Sequence, residues 1–135
     1  MDTDTIWQRL EEIINNIKNS LNNILLRYNI NLTDYKVLIA IKSGNDSMSK
    51  IAERLNLAPG WVTDIADRLE KAGYIERKRY EHDRRIINIE LTENGRMAVH
   101  KIRKDLKYLL DYTFSDMSNE ELVEFYEMLN KIKLR

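Results

Sequence analysis

Apolar residues recur at steps of three and four from Ile6 to Tyr28, through Leu10, Ile13, Ile14, Ile17, Leu21, Ile24 and Leu25. Asn, Glu, Lys and Arg fill most of the gaps, so the spacing predicts one long amphipathic helix. Asn29 and Asn31 break the pattern. Thr33 suits the N-cap of a second helix that turns Tyr35, Val37, Leu38 and Ile41 inward. Lys42 to Asp46 has turn chemistry. Ser47, with Ser49 competing, caps a short third helix through Ile51, Ala52 and Leu55. After the turn Asn56-Leu57-Ala58, Pro59 opens a fourth helix whose stripe is Val62, Ile65, Ala66 and Leu69. Gly73 stops it in the left-handed conformation.

Tyr74, Ile75 and Glu76 then begin an extended run. Ile87, Ile89 and Leu91 alternate with polar residues, the pattern of a strand with one wet face. Thr92 caps a second long helix carrying Met97, Ala98, Ile102, Leu106, Leu109 and Leu110, which ends near Phe114-Ser115-Asp116. Ser118 with Glu121 makes a capping box for a last helix with the stripe Leu122, Phe125, Tyr126, Leu129 and Ile132. The expected fold is mainly α with a small β-hairpin wing. Residues 1–31 form an N-terminal dimerisation helix, 32–91 a winged helix-turn-helix, and 92–135 C-terminal dimerisation helices.

Composition narrows the function. The chain has 135 residues, 43% hydrophobic and 33% charged, which suits one soluble domain. It has no cysteine, hence no disulfide or thiolate metal site. No apolar run is long enough to span a bilayer, and the acidic start is unlike a signal peptide, so cytoplasm is expected. The two histidines, His82 and His100, stand far apart. No metal-ligand spacing, phosphate loop or nucleophile elbow is present. Neither an enzyme nor a cofactor is expected.

Net charge is +0, yet the stretch Arg77 to Arg85 holds five basic and two acidic residues. A hairpin tip rich in arginine beside a helix with a polar face can contact DNA; a solvated turn is the competing explanation. Two short helices joined by a three-residue turn are the sequence form of helix-turn-helix. With its stripe inward, the fourth helix presents Gly60, Trp61, Thr63, Asp64, Asp67, Arg68 and Lys71. The candidate DNA face is therefore Ser47, Pro59, Gly60, Trp61, Thr63, Asp64 and Arg68 with the wing residues Arg77, Lys78, Arg79, Arg84 and Arg85. Trp61 is ambiguous: packing against the preceding helix is the preferred expectation, a place in the groove the alternative. Asp64 would serve only as an acceptor for cytosine.

The apolar faces of the terminal helices exceed what a small winged core needs. Ile6, Leu10, Ile13, Ile17, Leu110, Leu122, Phe125, Leu129 and Ile132 are the candidate dimer contacts. A two-fold dimer would match a palindromic operator; packing within one chain is the competing arrangement.

Val62-Thr63, Asp67-Arg68-Leu69-Glu70, Gly73, Glu76-Arg77, Asp83-Arg84-Arg85, Leu91-Thr92-Glu93 and Gly95 together resemble the signature of the MarR family of winged-helix transcription regulators. Thr33 with the helix after it, and Ile51-Ala52-Glu53-Arg54-Leu55, resemble that family's preceding helices. The resemblance implies a homodimer whose recognition helices enter the major groove and whose wings enter the minor groove. It implies that Asp83 orients Arg85 and that Arg85 enters the minor groove. It also implies a small, often aromatic or phenolic, effector bound between dimer base and DNA-binding lobe. Tyr28, Tyr35, Tyr108 and Tyr112 suit such a pocket and suit core packing equally. Trp61 and Asp64 are unusual for the reading face. The alternative function is a winged-helix module that docks protein and does not bind DNA specifically.

Overall fold

A computed structural model of the chain describes residues 1–79, 82–83, 85 and 87–135. Its elements run α1 (Thr3–Leu26), α2 (Leu32–Lys42), α3 (Met48–Leu55), α4 (Pro59–Lys71), β1 (Ile75–Arg79), β2 (Ile87–Leu91), α5 (Glu93–Thr113) and α6 (Asn119–Leu129). This is the mainly helical winged architecture expected from the pattern. No helix among the described residues is long and apolar enough to cross a membrane.

Local chemistry accounts for most of the boundaries. Asp2 accepts from the Thr5 amide at 2.9 Å and starts α1 earlier than the apolar stripe suggests. Asn29 ends that region in the left-handed conformation, φ 58°. The expected Thr33 cap of α2 is corrected to Asn31. The Asn31 side chain accepts from the Asp34 amide at 2.8 Å, and the Asp34 carboxylate accepts from the Asn31 amide at 3.0 Å. A reciprocal box satisfies two helix-end donors where a Thr33 cap would satisfy one. Ser47 prevails over Ser49 and accepts from Lys50 N. Gly73 takes φ 84° and Thr92 caps α5 through Gly95 N, both as expected. The Ser118–Glu121 capping box forms as well.

One core serves the whole winged lobe. Leu25, Val37, Leu38, Ile51, Val62, Ile65, Leu69, Ile75, Ile89, Val99 and Ile102 are almost fully buried. Each such side chain contributes about 1.5–3 kcal/mol by leaving water. The strands pair antiparallel with Ile75 opposite Leu91 and Arg77 opposite Ile89. Ile89 N also donates to Asp46 O at 2.8 Å, which pins the loop before α3 to the edge of the hairpin. Helix α2 is central: it packs on α1 and α5 and also on α3, α4 and β2. The core therefore draws residues from the end of α1 and the start of α5, across the sequence positions 31/32 and 91/92.

Candidate nucleic-acid interface

The first turn of α4 is chemically open. Pro59 fills the N1 position, and Ala58 before it supplies no side-chain cap. An uncapped N-terminus with the positive end of the helix dipole is suited to receive a phosphate. Ser47, also expected on the DNA face, is half-buried at the head of α3, where it serves as that helix's cap. Gly60 is exposed, and a Cβ placed on it would meet no atom within 4 Å. Its small size is thus not demanded by packing within the chain and leaves room for close backbone approach. Thr63 is exposed, with its hydroxyl donating to Pro59 O at 3.1 Å. Asp64 is exposed too.

Trp61 corrects the preferred expectation. It is 51% exposed, where burial against α3 was expected. The inward positions begin one residue later, at Val62, and α3 and α4 close against each other through that stripe. Trp61 falls on the flank, about 100° around the helix from Val62.

Arg68 has a different engagement from the DNA contact expected of it. Its two terminal nitrogens donate to the two oxygens of Asp34 at 3.0 and 2.8 Å. Asp34 is 1% exposed and is the single charged side chain buried among the described residues. Sequence reasoning missed Asp34, because a carboxylate in the first turn of a helix reads as an ordinary cap residue.

The wing is less basic in three dimensions than along the chain. Arg77 donates to Asp67 at 2.6 Å and to Glu70 at 2.9 Å, both on α4. Lys78 lies between Glu76 at 3.3 Å and Glu90 at 3.5 Å. These contacts shift the groups in the direction ion pairing requires. Hydrogen bonding from Arg77 holds Glu70 below the ordinary carboxylate range, and Glu70, then Asp67, raise Arg77. A hydrogen bond to Glu76 is the main cause that raises Lys78. Arg79 is exposed. Arg84 lies outside the described residues.

Arg85 is presented differently. Its backbone N donates to Asp83 Oδ1 at 3.0 Å, its Nε to the same oxygen at 3.1 Å, and its Nη2 to Oδ2 at 3.2 Å. The side chain remains 91% exposed. The carboxylate thus restrains the guanidinium while leaving it in solvent, and Asp83 is itself held low by these bonds.

Away from the wing, an apolar groove of about 660 Å³ opens between α1 and the corner of α5 with α6. Leu10, Ile13, Ile17, Phe114, Met117 and Phe125 line it. Ile6, Leu129 and Ile132 are 49%, 41% and 55% exposed, and Leu110 and Leu122 are half-buried. None of the four candidate tyrosines lines this groove: Tyr35 is in the core, Tyr28 packs against it, and Tyr108 and Tyr112 stand on the surface.

Comparison with known proteins agrees with this architecture. The model of the MarR family matches residues 30–87. An HTH-type transcriptional regulator of Bacillus cereus, itself uncharacterized, is 30% identical over 129 residues, which is 94% of this chain and 86% of that protein. A MarR family protein from Bacillus stearothermophilus superposes with a TM-score of 0.80 at 27% identity, over 97% of this chain and 94% of that one. FabT of Streptococcus pneumoniae, solved in complex with DNA, superposes with a TM-score of 0.78 at 29% identity, over 98% of this chain and all of that one.

Proposed function

The chain belongs to the MarR family of transcription regulators, and from that premise we propose that it acts in the cytoplasm as a homodimer on a pseudo-palindromic double-stranded DNA operator. Helix α4 enters the major groove N-terminus first, with Gly60, Trp61, Thr63 and Asp64 nearest the base edges. The hairpin reaches the adjacent minor groove with Arg85. Residues 1–31 and 92–135 form the dimer base. The observation that carries the proposal is the Asp83–Arg85 pair: a guanidinium held by a carboxylate yet 91% exposed. A narrow minor groove attracts such a group electrostatically. FabT, of similar fold and solved in complex with DNA, supports a DNA-binding role for this fold.

The effector in this scheme is a small aromatic or phenolic molecule that changes the separation of the two α4 helices, and hence their match to two fixed half-sites. Fragments selected from random duplex DNA should yield a sequence with two-fold symmetry. Arg85→Ala should weaken binding to it by about 1–3 kcal/mol; unchanged affinity would remove the wing from the interface.

A second function, protein docking without DNA, is favoured by the exposed Asp64 and by the carboxylates that compensate Arg77 and Lys78. Salt titration separates the two. Phosphate neutralisation makes duplex binding fall steeply with salt, whereas a docking module shifts no duplex at any salt.

A further inference from the structure

The Asp34–Arg68 pair is out of place for both of its partners. A carboxylate removed from water is costly unless it is paired and hydrogen-bonded, and a well-packed apolar pair of similar size would stabilise the fold as well or better. Asp34 is 1% exposed, and its carboxyl oxygens accept three hydrogen bonds: two from Arg68 and one from the Asn31 amide. What such a pair supplies is direction. Two parallel N–H···O bonds between planar groups tolerate little rotation. Asp34 sits in the first turn of α2, the helix that packs on α1 and α5 as well as on α3, α4 and β2. Its partner sits ten residues into α4. One position before it, Asp67 turns the other way and holds Arg77 of β1 at 2.6 Å, with Glu70 adding a second contact at 2.9 Å. Helix α4 is therefore fastened on one side to the scaffold and on the other to the hairpin.

On the DNA-binding function proposed above, we infer that Arg68 is a positioning residue and not a DNA contact: with Asp34 it fixes the bearing of the recognition helix, and through Asp67, Glu70 and Arg77 the wing follows as one body. Loss of the fork lets α4 rotate against α2. Two α4 helices that must match two half-sites at once then lose affinity for the correct sequence, while the charge that attracts any duplex is unaltered.

Four variants of the full chain test this: Arg68→Lys, Asp34→Asn, the combination of these two, and Arg68→Gln. Arg68→Lys keeps the positive charge at a side chain that is 53% exposed, so the fold tolerates it, but it cannot form the fork. Each protein is titrated with the duplex selected by the wild type and with a random-sequence duplex, over a series of salt concentrations. The expected result is a loss of about tenfold on the selected duplex for each single variant, with no further loss in the double variant. In Arg68→Lys, which keeps every charge, the slope of affinity against salt and the binding of random duplex stay as in the wild type. Arg68→Lys with full affinity overturns the inference. So does tighter binding by Asp34→Asn together with a slope about one unit shallower in Arg68→Gln, the sign of a lost phosphate contact. A wild type that binds no duplex removes the DNA-binding function and this role with it, whereas a wild type and an Arg68→Lys protein that bind alike remove only the role.

Discussion

The winged core and the terminal helices carry the same kind of apolar stripe, with opposite outcomes. In α4, Val62, Ile65, Ala66 and Leu69 are all at most 1% exposed. In α6 no residue is buried, and Tyr126 and Leu129 stand 66% and 41% exposed. Helix α1 shows both outcomes in one element: Ile24 and Leu25 close into the core, while Ile6 and Ile13 remain 49% and 40% exposed. A stripe is buried where another element of the chain arrives to cover it. The winged core meets that condition within one chain; the far ends of the terminal helices do not. The Phe114 and Phe125 rings meet 6.3 Å apart at the corner of α5 with α6, and on the homodimer proposed above a second copy covers these faces.

The strongest way to break this contrast is to place a charge on the uncovered face. Phe125→Asp combined with Leu122→Asp should turn a dimer into a folded monomer. The thermal transition of the winged core should survive, while operator affinity falls on the order of 100-fold or more as the second half-site is lost. Sedimentation and a duplex titration check both, and an unchanged oligomer would mean that the α6 face is not the dimer base.

Next in size is a covered position. Gly95 is buried, and a Cβ there would collide with the Tyr74 carbonyl. Gly95→Ala should cost about 1–3 kcal/mol in a urea melt. A smaller effect would show that the junction of α5 with β1 can give way.

The ion pairs of the wing rank lower. Hydrogen bonding from Arg77 holds Glu70 below the ordinary glutamate value of 4.5. The folded pKa is thus depressed, so the contribution is complete above 4.5 and is lost as pH falls through the lower folded value. The Glu70 side chain is 40% exposed and its pairing is screened by solvent, so Glu70→Gln should cost under about 1 kcal/mol at pH 7. The difference from wild type should shrink in acid melts well below 4.5; a difference that grows on acidification would contradict the pairing. The smallest effect belongs to Trp61→Ala. Its exposure predicts a stability change within about 0.5 kcal/mol, and a large loss would place Trp61 in the packing after all.

Much of this was legible along the chain because it depends on neighbours in sequence. Helix stripes, the Gly73 stop, the Thr92 cap and the Ser118–Glu121 box are all set within a few residues, and each formed where the pattern placed it. The α2 cap moved from Thr33 to Asn31 since two competing caps lay within three residues, and the reciprocal box with Asp34 decided between them. Trp61 was misjudged because helical spacing tells which side of α4 faces inward, not how far the neighbouring helix wraps around it. The wing was judged more basic than it is, as Asp67 and Glu70 reach Arg77 from across the Gly73 turn.

By itself, the order of residues determined which segments are helix or strand, which face of each is apolar, and which family the pattern belongs to, since these follow from periodicity and local capping. Tertiary structure alone decided which cations are already held by carboxylates, that Arg68 faces Asp34, and which apolar faces are left without a cover. Those outcomes depend on groups brought together from distant parts of the chain, and charge and burial are set by what lies close in space.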